Sequence, residues 1–314
     1  MKLKSLLHPI RAYKNRKRFN FYKSDAFKKL VDTNPKKALE IFWMIQKQYP
    51  LDWSNPQTLD EKTFWLEGMT NTQLWTEYSD KFLVREHIKE LGLSSILPKL
   101  YGVWNQVDEI DFNALPEKFV IKCTHDCGSS IIIPNKSKAD LESIRHKLNL
   151  CLHRKYGYQT CEPHYTKIQP RIIAEELLEN EQDTLNSSSL VDYKFFCCDG
   201  EVQCCMVCYD RVGLHSTKDI YDVKSWKRYA YMSERYQNKN LQQSVPRPSN
   251  LDEMVHIARK LAAGFPFIRV DLYNIADRRI VFGELTFTPH GGLQACFNQK
   301  GQQELGALIT LPSI

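Results

Sequence analysis

Three pairs of short, alternating apolar segments, with helical segments between the pairs, most constrain how this chain can fold. The clearest pair, "DYKFFCCDGEVQCCMVCYD", turns at Asp199-Gly200, a dipeptide that favours the tight turn of a β-hairpin. The segments "EKFVIKC" and "SSIIIPN" are joined by "THDCGS", and a third pair lies within "FIRVDLYNIADRRIVFGELTFTPHGG". Segments joined so closely pair antiparallel. The order therefore predicts an α+β fold with mostly antiparallel sheets.

Helical periodicity and end signals predict the helices of this fold. The segment "PKKALEIFWMIQKQ" begins at Pro35, which is favoured in a first helical turn. The segments "SDKFLVREHIKELG" and "LESIRHKLNLCLHRKYG" are also predicted to be helical. In "SNLDEMVHIARKLAAGFP", Asn250 and Glu253 have the spacing of a capping box, and Gly264 is placed to end the helix.

Composition is that of an ordinary soluble protein, with 42% hydrophobic and 25% charged residues among 314. No apolar run approaches the length of a membrane span, and the N-terminus lacks the apolar region of a signal peptide. The ten cysteines are scattered through apolar segments without the spacing of a disulfide framework. We therefore expect reduced, buried thiols in a cytoplasmic protein.

The net charge of +6 is concentrated at the N-terminus. Residues 1–18 hold seven Lys and Arg and no acid, which leaves 36 basic and 37 acidic residues, a net charge of −1, for the rest. Apolar residues are interleaved with these charges, so the tail could lie on an anionic membrane surface. A solvated terminus is the alternative that we favour. No nucleic-acid-binding motif accompanies the charge, so no nucleic-acid partner is expected.

The third hairpin carries carboxylates on facing strands. If its turn centres on Asp277-Arg278, Asp271 lies opposite Glu284 and Arg269 lies opposite Thr286. Opposed carboxylates destabilise a sheet unless a positive charge lies between them, and together with phosphate oxygens they form an environment that Mg²⁺ prefers. A register shifted by two residues would instead pair Glu284 with Arg269 as a surface ion pair of little energetic weight.

The first hairpin carries a lysine in mid-strand. Lys122 alternates with Phe119, Ile121 and Cys123, and a buried ammonium is costly unless it meets an anion. The loop that follows can offer backbone amides and hydroxyls to phosphate oxygens. Its candidate residues are Gly128, Ser129 and Ser130. A strand lysine with such a loop and a downstream carboxylate hairpin indicates a triphosphate with its metal.

This order of features resembles the ATP-grasp superfamily, and within it the teichuronopeptide-biosynthesis (TupA-like) group. The similar segments are "SDKFLVREHIKELG", "LPEKFVIKCTHDCGSS", "IIAEELLEN", "DYKFFCCDGEV" and "FPFIRVDLYNIADRRIVFGELTFTPHGG". The resemblance implies an ATP-grasp fold in which two α+β subdomains hold ATP between antiparallel sheets, after an N-terminal helical region. We expect a basic tail and helical region over 1–74, the start of the ATP-grasp region over 75–112, a small nucleotide-gripping subdomain over 113–180 and a C-terminal subdomain over 181–314.

The resemblance also implies roles for individual residues. Lys122 would hold the nucleotide phosphates, Arg269 would stabilise the transferred phosphoryl group, and Asp271 and Glu284 would bind Mg²⁺. Thr286 stands where many members have a metal-binding Asn. The phosphate-covering loop would contain Gly128, Ser129 and Ser130. The hinge segment that reads the adenine with its backbone would be Glu175, Glu176, Leu177 and Leu178.

Further polar residues are weaker candidates. Lys194 shares a strand face with Asp192 and could reach the phosphates, or could be a surface lysine. Arg211 could hold an acidic substrate. His125 and His290 flank the two phosphate-facing loops, where a structural or solvent role is favoured. Zinc is not expected because adjacent strand cysteines point to opposite faces. These cysteines are Cys204, Cys205 and Cys208.

The resemblance implies an ATP-dependent carboxylate–amine ligase that acts through an acyl phosphate, with ATP and Mg²⁺ as cofactors. It also suggests that a uronic acid or acidic glycan precursor supplies the carboxylate and an amino acid the amine, on the cytoplasmic side of cell-surface polysaccharide biosynthesis. Such substrates are often lipid-linked, which would give residues 1–18 a role in peripheral membrane contact. A glycosyltransferase that uses a nucleotide sugar is the alternative, and a non-catalytic ATP-binding module is a third.

Overall fold

The computed structural model describes residues 21–22, 24–179, 185, 187–213, 215–233 and 244–313. The basic tail predicted at residues 1–18 lies outside these residues. Within them, helices and two antiparallel sheets form the structure. The predicted α+β class is therefore confirmed.

The bounds of the regular elements follow in chain order. The α-helices of the described residues are α1 (Asp25–Thr33), α2 (Pro35–Lys47), α3 (Leu59–Met69), α4 (Gln73–Ser79), α5 (Val84–Glu90), α6 (Leu141–Leu152), α7 (Tyr156–Thr160), α8 (Pro163–Thr166), α9 (Leu251–Ala262) and α10 (Gln299–Ala307). Their strands are β1 (Leu100–Trp104), β2 (Phe119–Cys123), β3 (Ile131–Ile133), β4 (Ile172–Glu175), β5 (Asp192–Cys198), β6 (Glu201–Val212), β7 (His215–Asp222), β8 (Phe267–Ile275) and β9 (Arg279–Thr286).

Helices α1 to α3 form an N-terminal layer around an aromatic core. Helix α2 begins at Pro35 as predicted, and the side chain of Asn34 accepts a hydrogen bond from the amide of Lys37 at 3.0 Å. Trp43 and Phe64 are buried here and meet edge to face, with ring centroids 5.0 Å apart. Such aromatic packing joins α2 to α3 and supports the sheets that follow.

The smaller sheet has the strand order β1-β4-β2-β3, and every neighbouring pair is antiparallel. Alternate residues of β2 point into a core beneath α6, where Phe119, Ile121 and Cys123 are fully buried. Lys122 lies on the opposite face, as the period of two predicts. Strand β1 lies within the predicted 75–112 region and belongs to this same sheet; the predicted division into four regions stays a prediction.

The larger sheet has the strand order β7-β6-β5-β8-β9, again with antiparallel neighbours. Strands β5 and β6 are joined at Asp199 and Gly200, whose φ angles of 48° and 78° are those of a tight hairpin turn. Helix α9 packs against β5, β6 and β8 with its apolar face buried. This places the β5–β8–β9 row of strands on a rigid support.

The predicted register of the third hairpin is confirmed, although its turn lies elsewhere. Asp271 pairs with Glu284 and Arg269 pairs with Thr286. The turn centres on Ala276 and Asp277, both with positive φ (51° and 53°), rather than on Asp277-Arg278. A bulge after Asp271 adds one residue to β9 and restores the predicted pairing nearer the sheet centre.

The predicted capping box of α9 is wrong. Helix α9 does start after Asn250, but the Asn250 side chain makes no cap hydrogen bond. Its amide instead forms two reciprocal hydrogen bonds with the side chain of Asn274 on β8, at 2.9 and 2.8 Å. Asn274 in the sheet thus replaces the backbone amide of the helix as the partner of Asn250, because the two side-chain amides satisfy each other's hydrogen-bonding groups.

All ten cysteines are free, and nine of them are buried, while Cys127 is exposed. The expected burial of the thiols is therefore confirmed at nine positions and wrong at Cys127. None of the helices in the described part of the chain has the length and apolar character needed to cross a bilayer.

Candidate active site

The acidic hairpin of β8 and β9 holds a buried guanidinium between its carboxylates. Arg269 donates to Asp271 Oδ1 at 2.6 Å through Nε and to Oδ2 at 2.8 Å through Nη2. The same Nη2 reaches Glu284 Oε1 at 2.9 Å and the hydroxyl of Thr286 at 3.1 Å. Arg269 is 7% exposed and Asp271 2%. A positive charge therefore separates the two facing carboxylates, as the sheet requires.

Strand β5 adds a second cation to this cluster. Lys194 pairs directly with Asp271 across the strands, and its ammonium forms ion pairs with Asp271 and, at 2.6 Å, with Asp192. Burial alone lowers the pKa of a lysine, but the charges of Asp192 and Asp271 outweigh it and raise the pKa of Lys194 above its ordinary value. Arg211 approaches Asp192 at 3.7 Å from a half-exposed position. Lys194, whose side chain is 15% exposed, is thus a largely buried member of the site and not a surface lysine.

The alternative interpretation of the hairpin, an ion pair between Glu284 and Arg269 in a shifted register, is correct for the ion pair and wrong for the register. Arg269 does form an ion pair with Glu284, but it does so within the predicted register and not through a two-residue shift. The pair is also largely buried on the arginine side, with Arg269 9% and Glu284 38% exposed in their side chains. The hairpin therefore carries both the ion pair and the facing carboxylates.

The donor set of the hairpin fits Mg²⁺. Among the described residues no group of three or more His, Cys, Asp or Glu could hold a metal by itself, and Mg²⁺ typically takes one or two carboxylates together with substrate phosphates. Glu284 is partly exposed, and none of the described residues hydrogen-bonds its Oε2. Asp271 and Glu284 are the residues that would hold the ion. The metal role of Thr286 stays a prediction.

Lys122 meets an anion within the protein. Its ammonium lies 2.6 Å from Glu175 Oε2, and Arg85 on α5 lies 2.8 Å from the other oxygen of the same carboxylate. Burial lowers the pKa of Arg85 below its ordinary value. Lys122 and Arg85 share the single carboxylate of Glu175, so these three side chains together keep one excess positive charge at the predicted hinge. The phosphate role of Lys122 stays a prediction, and Arg85 is a residue that the sequence analysis did not single out.

The loop between β2 and β3 is held by its own side chains. Gly128 has a φ of 86°, which favours glycine, and is exposed together with Ser130. Ser129 is buried, donates to Asp126 Oδ1 at 2.5 Å and accepts from the amide of Cys123 at 3.0 Å. Its hydroxyl is therefore engaged in shaping the loop, whereas Ser130 lies at the surface.

Lys81 also fixes this loop and was not singled out from the sequence. Its ammonium donates to the carbonyl of Asp126 at 2.5 Å from the segment between α4 and α5. The segment "SDKFLVREHIKELG" carries both Lys81 and Arg85, and its resemblance to the family was the signal that could have found them. Arg85 lies on the face of the small sheet that carries Lys122, because both cations contact the Glu175 carboxylate.

The predicted hinge begins at Glu175, the last residue of β4, and the chain then leads from the smaller sheet to β5 of the larger sheet. The amide of Glu176 donates to the carbonyl of Lys99 at 2.9 Å. Its carboxylate accepts from Arg279 at 2.7 and 2.8 Å, and Arg279 begins β9 of the larger sheet. Leu177 and Leu178 are half-buried. This bidentate ion pair links the hinge to the acidic hairpin, while adenine recognition stays a prediction.

The two candidate histidines differ in burial, and the cysteines of β6 form no metal site. His125 is 3% exposed, and its Nε2 donates to the carbonyl of Arg154 at 3.2 Å. His290 is exposed, follows β9 and has a positive φ of 55°. The cysteines of β6 are buried, and no zinc-binding group occurs among the described residues.

A sequence model of the TupA-like ATP-grasp family matches residues 61–310. The chain belongs to this family. The predicted ATP-grasp fold is thereby confirmed, together with its two antiparallel sheets. ATP and Mg²⁺ are the typical cofactors of ATP-grasp proteins. No curated protein matches the chain in sequence.

Several solved ATP-grasp structures are similar to this family member. The D-alanine–D-alanine ligase of Bacillus anthracis, complexed with ATP, is 12% identical, with 76% of this chain and 66% of that chain covered and a TM-score of 0.44. The N5-carboxyaminoimidazole synthetase of Staphylococcus aureus, complexed with ADP, is 11% identical, with coverage of 88% and 59% and a TM-score of 0.48. The L-amino acid ligase of Bacillus licheniformis is 10% identical, with coverage of 81% and 55% and a TM-score of 0.45. The chain thus spans less than two thirds of the length of each.

Proposed function

We propose that this TupA-like ATP-grasp protein is an ATP-dependent carboxylate–amine ligase. The observation that carries the proposal is the row Lys194, Asp271 and Glu284 across three strands, with Arg269 inserted between the carboxylates. Buried cations beside two carboxylates suit a metal-bound triphosphate, because both the phosphate charge and the metal then find partners.

The proposed reaction has two steps. A carboxylate oxygen of the first substrate attacks the γ-phosphorus of ATP, the bond to the bridging oxygen breaks, and ADP leaves. The nitrogen of an amine then attacks the carbonyl carbon of the acyl phosphate, phosphate leaves, and the nitrogen loses a proton. No side-chain nucleophile is needed, so positioning and charge stabilisation supply the catalysis.

The protein's own residues would act on the phosphates. Lys122 would hold the nucleotide phosphates from the small sheet, and Arg269 would stabilise the transferred phosphoryl group from the large sheet. Asp271 and Glu284 would hold Mg²⁺, which when bound neutralises charge on phosphate oxygens. Lys194 would keep Asp271 in place through its ion pair.

The substrate class is proposed from the family resemblance alone. A uronic acid or acidic glycan precursor would supply the carboxylate and an amino acid or other amine the nitrogen, in cell-surface polysaccharide biosynthesis on the cytoplasmic side. If the precursor is lipid-linked, residues 1–18 would bring the protein to an anionic membrane surface. The smaller and the larger sheet are both antiparallel throughout. This disfavours a nucleotide-sugar glycosyltransferase, which would have a doubly wound parallel sheet.

Product analysis tests the proposal. The purified full chain is incubated with Mg-ATP, a uronic acid and an amino acid mixture, and ADP and phosphate are measured. We expect release that requires both a carboxylate and an amine, and a melting temperature raised by Mg-ATP but not by UDP-sugars. At a hundredfold excess over Kd, ligand linkage adds about 2.7 kcal/mol.

Three results would contradict this proposal. Stabilisation by UDP-sugars alone, with UDP as product, would support the glycosyltransferase. Binding of Mg-ATP without ADP formation under any substrate pair would support a non-catalytic ATP-binding module. AMP and diphosphate as products would exclude the acyl-phosphate route.

A further inference from the structure

A cavity of about 710 Å³ lies outside the cluster of carboxylates and cations described above. Its walls are the segment after β1, helix α6 and the α7–α8 segment, and His125 of the loop after β2 also lines it. The volume lies within the range of small-molecule binding sites, which is about 300–1,000 Å³. Neither the nucleotide nor the metal assignment uses this cavity.

The charge of the cavity suits a ligand with a single negative charge. Its lining includes three cations and two carboxylates, with three histidines in addition. Arg145 is engaged, because it donates to the carbonyls of Val107 and Ile110 at 2.9 and 3.1 Å. Lys155 is exposed, and none of the described residues pairs with it. A lone accessible lysine complements one carboxylate better than it complements a polyphosphate.

The uncharged lining suits a ligand rich in hydroxyl groups. Tyr156 and Tyr165 meet edge to face, with ring centroids 5.2 Å apart, and both line the cavity together with amide side chains. These amides belong to Asn105, Gln106 and Asn149. Nδ1 of the buried His125 has no hydrogen-bond partner within the described structure. Aromatic faces with several amide donors and acceptors are suited to an amphipathic, polyhydroxylated ring.

The cavity is joined to the proposed active site on two sides. Arg154 lies 3.3 Å from Asp126 Oδ2 and donates to the carbonyl of Cys127 at 3.3 Å, within the loop predicted to cover the phosphates. At the other side, Thr288, two residues beyond β9, donates to Glu162 between α7 and α8 at 2.5 Å. The α7–α8 wall of the cavity is thus linked to the chain that leaves the acidic hairpin.

We propose that this cavity binds the carboxylated sugar on which the ligase acts, with Lys155 holding a carboxylate and the Tyr156–Tyr165 wall packing against the sugar ring. The inference rests on the proposed function for the identity of the substrate. Its location rests on the cavity and its lining, and it assigns specificity to α6, α7 and α8. A phosphate group of the nucleotide is the other anion that the cavity could receive, and the test separates the two.

The test compares Lys155→Glu with Lys147→Glu. Lys147 is an exposed lysine of α6 that does not line the cavity, so it controls for the change in net charge. Galacturonate and its uncharged methyl ester serve as probes, and their affinities for the full chain are measured by titration calorimetry beside that of Mg-ATP. We expect Lys155→Glu to weaken galacturonate binding about tenfold, as expected when a charge-assisted contact becomes repulsive. The methyl ester and Mg-ATP should bind both variants equally.

The inference is overturned by any of three results. These are equal galacturonate affinity in both variants, no galacturonate binding at millimolar concentration, and weakened Mg-ATP binding by Lys155→Glu, which would assign the cavity to the nucleotide. Failure of the proposed function looks different. In that case Lys155-dependent binding of galacturonate would persist, but no ADP would form with any carboxylate and amine.

Discussion

Asp271 is both a candidate metal ligand and the anion that holds two buried cations. Its carboxylate accepts from Arg269 at 2.6 and 2.8 Å and forms an ion pair with Lys194. The variant Asp271→Asn keeps the shape and one accepting oxygen but leaves these cations short of one negative charge. Breaking a buried pair by removing one partner costs about 3–5 kcal/mol. We expect the lower end, about 3 kcal/mol, because the Asn oxygen can still accept.

Glu284→Gln should behave differently, because Glu284 is 38% exposed in its side chain and contacts only the edge of the cluster. A partly exposed ion pair contributes about 1 kcal/mol or less. At about 2–4 °C per kcal/mol for a chain of this size, Asp271→Asn should lower the melting temperature by about 6–12 °C and Glu284→Gln by about 4 °C at most. From the sequence alone, relief of like-charge repulsion predicts unchanged or improved stability for both variants; the buried cations reverse this for Asp271.

Thermal unfolding with and without Mg-ATP measures both effects. Asp252→Asn is the control, since Asp252 is an aspartate in an exposed ion pair with Arg247. We expect wild-type protein to be stabilised by Mg-ATP, and both Asp271→Asn and Glu284→Gln to lose that response and ADP formation. If Asp271→Asn melts with the control, the carboxylate does not hold the buried cations and the energetic reasoning fails. If Glu284→Gln keeps the full Mg-ATP response, the metal site lies elsewhere.

Three further predictions concern other parts of the chain. Lys122→Met should weaken ATP binding about tenfold through loss of a charge-assisted contact, whereas the exposed Lys118→Met should not; equal binding by both in a fluorescence titration would contradict the phosphate role. Burial raises the pKa of Glu162 to about 7 and lowers the pKa of His164 to about 4. The contribution of Glu162 to the stability of the fold is therefore lost as pH rises from 4.5 to 7, and that of His164 is lost as pH falls from 6.5 to 4. These slopes oppose each other, so Glu162→Gln should make the melting temperature fall more steeply on acidification below pH 6.5 than in wild type, and an unchanged pH profile would refute the assignment. Deleting residues 1–18 should leave ATP turnover intact and weaken flotation with anionic vesicles, most at low salt; equal flotation would remove the membrane role.

The hairpins could be predicted because local chemistry determines them. Alternation with a period of two assigns each residue to a face, and Asp199-Gly200 marks its own turn. In the third hairpin the turn was predicted one residue too late, at Asp277-Arg278 instead of Ala276-Asp277, and the bulge after Asp271 compensated for this shift. The signal for that bulge was Gly283, where an added Cβ would lie 2.9 Å from the Asp271 carbonyl. A glycine within a strand is a frequent mark of a bulge.

The partners of the site residues could not be predicted in the same way. Lys122 was expected to need an anion. That the anion is Glu175, shared with Arg85, depends on how β4 lies beside β2 and on where α5 places Arg85. The ion pair of Glu176 with Arg279 joins residues from different sheets. Periodicity carries no information about such contacts, because they arise only when separate elements dock. The same holds for Asn250, whose sheet partner replaced the cap that its local sequence favours.

The ion-pair and metal interpretations of the acidic hairpin become compatible when its charges are counted. Asp192, Asp271 and Glu284 provide three carboxylates, and Lys194, Arg269 and the half-exposed Arg211 provide three cations, so the cluster is neutral without metal. Its cations thus let the carboxylates be buried without metal, while the partly exposed Glu284, whose Oε2 accepts no hydrogen bond from the described residues, can still hold a divalent cation. With Mg²⁺ bound the sum becomes positive, and the cluster then favours the phosphates of ATP. Metal and nucleotide should therefore bind with positive coupling, each raising the affinity of the other by the same factor.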